Sequence, residues 1–368
     1  MILWVWIILT LLLILTGLVF HKCKFLAILQ SFWIWVLMAF NAGGVDYSGY
    51  IHIYQISRDL TYNGVEYLYH LACYLGNILS LDLLSFDIIR STLGLALLYY
   101  IIFKHTPKPS IVLSLCMLFP MVDFIIQKRC FISAMISIAA FIILAEKKYK
   151  KKEQYLQIFI YIFLCLVSGG FHNVGYVYLL CLPIKFMTLK QLQYCVYVLI
   201  VVSFVMLPVF PKIMSMFFSQ QKVHVYFEVL EYRLSFWKAI IFMMLHFIYF
   251  ILHTKIYQGL KSKSTSDVFL IKLNYIMLIF IPLYCYSSNF IRIYRDILPL
   301  FYIEFSKLFV RPLCKNNQLL IKLAYILWAF AFFIFAYIAA GTFGFDILIK
   351  NTIFEENYLL KLLFGTNM

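Results

Sequence analysis

Apolar runs recur along the whole chain, separated by short polar segments. A helix that crosses a bilayer needs roughly 20 mostly apolar residues at 1.5 Å rise each. The pattern predicts spans at about 2–20, 25–40, 88–103, 110–126, 130–145, 155–170, 174–189, 192–210, 237–254, 269–287, 297–311 and 319–339. A membrane β-barrel would instead show alternating strands of about ten residues, and that period is absent. No stretch is long and polar enough for a separate soluble domain, so residues 1–368 read as a single integral membrane domain. Met1–Phe20 has neither a basic leading segment nor a small-residue cleavage site, and reads as a retained first span. The expected fold is an all-α polytopic bundle of about 12 spans (roughly 11–13).

One stretch breaks the pattern. Val65–Phe86 is fairly apolar but contains Glu66, His70, Asn77 and Asp82. It reads as an interfacial or re-entrant helix on the outer face. If it crossed instead, every later segment would invert relative to the first loop.

Composition agrees with a membrane chain: 64% of the 368 residues are hydrophobic and only 13% are charged. A soluble domain carries about a quarter charged residues. The net charge of +15 could suggest a nucleic-acid partner, but its placement argues otherwise. Lysines gather between the apolar runs at Lys22 and Lys24, Lys104 and Lys108, Lys147 to Lys152, and Lys261 and Lys263. That is the positive-inside signature, and it makes the bilayer the expected partner. The nine cysteines form no CxxC pair and imply no metal or disulfide framework. HExxH, P-loop, DxD and GxSxG motifs are all missing, which disfavours metal hydrolases, ATPases and nucleotide-sugar transferases.

With the lysine clusters inside, the outer loops are 41–64, 126–130, 168–173, 211–236 and 288–296. Of seven arginines, Arg58, Arg129, Arg233, Arg292 and Arg295 fall in these loops, Arg90 lies near them, and only Arg311 is inner. Positive charge on that side needs a cause of its own, such as an anionic ligand.

Asp46, Tyr50 and Tyr54 are spaced i, i+4, i+8, which on a helix aligns one acid and two phenols. With Tyr47 they are either an interfacial tyrosine belt or a sugar-binding platform. Arg129 is either a snorkelling side chain or a bidentate phosphate clamp. Arg292 and Arg295 share a helix face with Asp296 close by, and one acid cannot neutralise both. His172 follows Gly169-Gly170 and either bonds a freed carbonyl or serves as a general base near neutral pH. His246 and His253 point inward from an apolar helix and read as structural.

In order, Gly44-Val45-Asp46-Tyr47 with Tyr50 and Tyr54, Glu66-Tyr67, Arg129 before a small-residue helix, Phe171-His172, and Arg292-Ile293-Tyr294-Arg295 resemble the EpsG-like family. That family overlaps the Wzy-type O-antigen and exopolysaccharide polymerases, and the pattern covers roughly residues 40–300. Cys130 stands where the family commonly has Gln, and Val174-Gly175 where it commonly has Ser-Ala.

The resemblance implies a polymerase on the periplasmic face of the bacterial inner membrane. It would move a growing glycan from undecaprenyl pyrophosphate to the non-reducing end of a lipid-linked repeat unit, without nucleotide, metal or other cofactor. Arg129, Arg292 and Arg295 would hold the pyrophosphate, and His172, or else Asp46, would take the proton of the attacking hydroxyl. Tyr47, Tyr50 and Tyr54 would line the acceptor's path, with Glu66 and Arg233 as further substrate contacts. A chain-length regulator in the same membrane is a further partner to expect. A capsule or exopolysaccharide polymerase, an O-antigen ligase, and a flippase or exporter of the same lipid-linked sugar are the rival readings.

Overall fold

The computed structural model describes residues 2–59, 66–148, 150–216, 223, 224, 227, 235–311, 313, 318–339 and 344–363. Arg233, with Glu228 and Glu231 of the same loop, lies outside the described residues. The architecture is all-helical, with two isolated backbone bridges (Asn41 to Asn357 and Leu260 to Leu313) and no strand among the described residues.

Among the described residues, seven helices are long and apolar enough to cross a membrane. They are α5 (Leu83–His105), α8 (Lys128–Ala145), α9 (Lys151–Phe171), α11 (Leu189–Met214), α12 (Phe236–Gly259), α13 (Thr265–Cys285) and α16 (Gln318–Ala339). Four shorter apolar helices accompany them: α1 (Leu3–Val19), α2 (Lys24–Ala39), α6 (Pro109–Leu118) and α10 (Val174–Lys185). Helix α11 has a mean hydropathy of 2.3, yet almost none of it is buried by the rest of the protein. Val201 and Val205 stand fully out on its surface. Such an apolar, unburied surface suits a helix that faces hydrocarbon.

By length and composition, seven of the roughly 12 expected spans are long helices, and the other apolar segments are short or broken. Segment 110–126 is divided, because Phe119 precedes Pro120 and adopts the extended backbone that a following proline favours. Helix α6 stops at Leu118 and α7 (Met121–Ile126) starts afresh. Segment 297–311 forms only the ten-residue helix α15 (Leu298–Lys307), buried along nearly its whole length. Segment 65–86 likewise divides. Helix α4 (Tyr67–Ile78) has 12 residues, about 18 Å, which is too short to cross alone. Ser80 then turns the chain with φ of 54°, and the Asp82 carboxylate caps α5 through the Ser85 N–H at 2.7 Å.

The helices run between two chemically distinct ends. Helices α8 and α9 form an antiparallel hairpin, tied near one end by Ser133 to Ser168 at 2.7 Å. At the other end Gln157 donates to the Glu146 carbonyl at 2.9 Å. The lysine loop Lys147–Lys152 thus lies opposite Lys128, Arg129 and His172. Helix α5 runs the same way, with Asp87 and Arg90 beside Lys128 and His105 near Glu146 and Lys307. The inward histidines fit the interior as read. His246 bonds Tyr284 at 2.8 Å and stacks on Tyr294, while His253 packs against Phe301.

Candidate functional site

At the end opposite the lysines, a half-open cleft with about 700 Å³ of empty space lies among α10, the tip of α11 and the segment before α14 (Ile291–Arg295). Its polar lining is Glu66, His172, Asn173, Asn289 and Arg292. Its apolar wall includes Val177, Met214, Phe227 and Phe290. Three candidates far apart in sequence, Glu66, His172 and Arg292, therefore meet at one opening.

His172 sits where α9 ends. Its backbone is extended, its N–H reaches the Ser168 carbonyl at 2.9 Å, and its own carbonyl accepts from Gly175 at 2.9 Å. This turn requires glycine: a Cβ on Gly175 would lie 2.3 Å from the Gly169 nitrogen. The Gly175 departure from the family pattern thus matches a close helix crossing that fixes His172 at the cleft wall.

Arg292 donates to the Asn289 side-chain oxygen at 2.9 Å. Among the described residues no carboxylate lies within ion-pair distance of it, and its guanidinium lines the cleft. Arg129 forms an ion pair with Glu66 and lies 5.5 Å and 5.6 Å above the rings of Tyr50 and Tyr69. The aromatic faces and the acid hold the guanidinium just behind the cleft wall.

Arg295 is placed differently. It is buried, paired with Asp296 at 2.9 Å and Asp123 at 3.2 Å, and it donates to Gln127 at 2.8 Å. Asp296 thus pairs with Arg295 and not with Arg292, and it also accepts from Cys130 at 2.9 Å. Cys130, the other departure from the family pattern, faces this cluster and not Arg129.

Asp46 stands at the start of α3 (Tyr47–Ile56), half-buried and outside the cleft lining. The chain reaches it through Gly44, whose φ of +112° belongs to glycine. Tyr50 and Tyr54 do share a face, but it turns onto α4 and Phe86. Tyr50 contacts Tyr69, and the Tyr54 hydroxyl donates to the Leu81 carbonyl at 2.7 Å. Burial pushes the Tyr50 phenol up to about 12. Tyr47 lies under the Lys128 ammonium at 4.9 Å.

Sequence reasoning placed Arg90 near this side but passed over Lys128 and Asp87, the charges beside it. Lys128, 1% exposed, bonds Asp87 and donates to the Asn41 carbonyl at 2.7 Å. Asp87 also pairs with Arg90 at 2.8 Å, and Arg90 donates to the Tyr69 hydroxyl at 3.2 Å. The available signal was the i, i+3 spacing of Asp87 and Arg90 at the start of an apolar helix. Among the described residues no group of three His, Cys, Asp or Glu side chains is arranged to hold a metal ion.

The fold is a helical bundle of membrane type with an arginine- and histidine-lined cleft at one end. The EpsG family model matches residues 24–348, nearly the whole chain, and the protein belongs to that family. Membership points to a polymerase-like role in polysaccharide synthesis. Neither the curated proteins nor the solved structures contain a match.

Proposed function

We propose that the protein is an O-antigen polymerase that lengthens a glycan carried on undecaprenyl pyrophosphate, with the cleft facing the periplasm. The observation that carries this reading is the convergence of Glu66, His172 and Arg292 on one opening, with Arg129 directly behind Glu66. His172 takes the proton from the acceptor sugar hydroxyl, and that oxygen attacks the anomeric carbon of the donor. The bond from the anomeric carbon to the pyrophosphate oxygen breaks as the new glycosidic bond forms. Arg292 and Arg129 meet the charge that develops on the departing pyrophosphate. Arg295, neutralised by two acids, holds the segment that presents Arg292. Asp46 and Tyr47 flank the approach from α3. In the same reading the crossings number about 12, with α6 and α7 together making one broken crossing buried inside the bundle.

The test is purified full-length protein incubated with one synthetic lipid-linked repeat unit and no nucleotide. Polymer is expected from the wild type. Arg129→Ala and His172→Ala, expressed at normal levels in cells, are expected to leave lipopolysaccharide with a single repeat. Wild-type long-chain ladders from both variants would overturn the assignment.

A further inference from the structure

The lysine-rich end has a groove of its own, far from the cleft. It lies where the C-terminal end of α8, the C-terminal end of α10 and the first turn of α13 come together, a groove open to solvent with about 560 Å³ of empty space. Its walls are apolar, with Leu144, Ile184, Val268 and Phe269, and its rim carries Lys147, Lys148, Lys185 and Lys272.

Two of these lysines are held in place by neutral groups. Lys185 donates to the carbonyls of Leu144 and Glu146, both at 3.1 Å. Lys272 donates to the carbonyls of Ile184 and Met187, at 3.1 Å and 2.6 Å. An ammonium has three donors, so each keeps one to offer, and a carbonyl does not cancel its charge. Lys148 is paired with the Glu146 carboxylate at 2.8 Å. The rim is therefore a fixed, half-buried pair of cations over an apolar slot, unlike the solvated run at Lys150–Lys152 on the same loop. Outside the groove Leu180 and Phe186 are exposed, as side chains facing hydrocarbon are.

We propose that this groove binds an anionic phospholipid, its phosphate diester between Lys185 and Lys272 and the first part of an acyl chain against Ile184 and Val268. A phosphate oxygen accepts the spare donor of each lysine, and the apolar wall distinguishes a lipid from a free phosphate.

The experiment is native mass spectrometry of the full-length protein titrated with phosphatidylglycerol, phosphatidylcholine or inorganic phosphate. Wild type is expected to retain phosphatidylglycerol about ten-fold better than phosphatidylcholine, and inorganic phosphate is expected not to displace it. Lys185→Gln with Lys272→Gln is expected to abolish that preference, while Lys150→Gln with Lys151→Gln keeps it. Val268→Trp fills the slot without removing a charge and is expected to lower phosphatidylglycerol retention as well, which keeps the test decisive should the double variant misfold. Equal loss from the groove and loop lysine variants, unchanged retention in Val268→Trp, or displacement by inorganic phosphate would each overturn the proposal.

Discussion

Arg292 is held by an amide where the neighbouring Arg295 is held by two acids, and this difference separates their roles. A planar guanidinium can meet two oxygens of one phosphate while keeping a bond to Asn289, whereas an ammonium offers a point charge. Arg292→Lys is therefore expected to slow polymerisation of the synthetic repeat unit by about 10²-fold without loss of folded protein, on the scale of losing one transition-state donor. A second single-residue effect concerns His70, which bonds Ser57 at 2.9 Å behind Arg129. Burial, and then the charge of Arg129, hold its imidazole down to about 4, below the ordinary 6.5. The unfolded chain takes up the proton first, so stability is unaffected well above pH 6.5 and falls as the pH drops from there towards 4. His70→Asn keeps a group that can bond Ser57 and is expected to lose less melting temperature than wild type between pH 7.5 and pH 5. Parallel losses in the two proteins would exclude His70 as the cause.

Among the elements, the α9–α10 turn couples packing to the site most directly. Ser168 bonds both Ser133 and Ser137, at 2.7 Å and 2.8 Å, and Gly175 rests on its backbone. The methyl of Gly175→Ala would meet main chain, which cannot swing aside, so about 1–3 kcal/mol of stability should be lost. A lower melting temperature together with lost polymerisation is expected, while Gly49→Ala, whose added methyl meets no other part of the protein within 4 Å, should lower neither. The hydrophobic pattern located most of these helices because a period and a length are local properties. It did not reveal the break before Pro120 or the burial of the short α15, since a buried helix and a crossing helix are apolar alike. Site legibility divided in the same way. His172 and Arg292 stood out as charged or titratable groups in loops, and both line the cleft. The acids that occupy Arg295 did not stand out as a pair, because Asp123 is 172 positions away in sequence and only the fold brings it near. Tyr50 and Tyr54 were aligned by their spacing, but spacing gives a shared face and not the direction in which that face turns.

For the whole molecule, the separation of lysine end from cleft end is the property with the widest reach. The α8–α9 hairpin puts Lys150 and His172 at opposite ends, and Ser48 is exposed on α3 at the cleft end. With Cys23, Cys195, Cys285 and Cys314 replaced by Ser, Ser48→Cys is expected to react with a membrane-impermeant maleimide in intact spheroplasts, and Lys150→Cys only after lysis. The reverse pattern would place the cleft in the cytoplasm and remove the periplasmic polymerase reading. The spread of the cleft residues along the chain also governs how the protein is made. Glu66 leaves the ribosome long before His172, and Arg292 emerges last. Asp87 enters the membrane ahead of Lys128, whereas Asp123 must wait for Arg295, 172 positions later. The insertion machinery therefore handles a half-buried acid before its arginine partner has been made, and the cleft closes only once Arg292 is delivered.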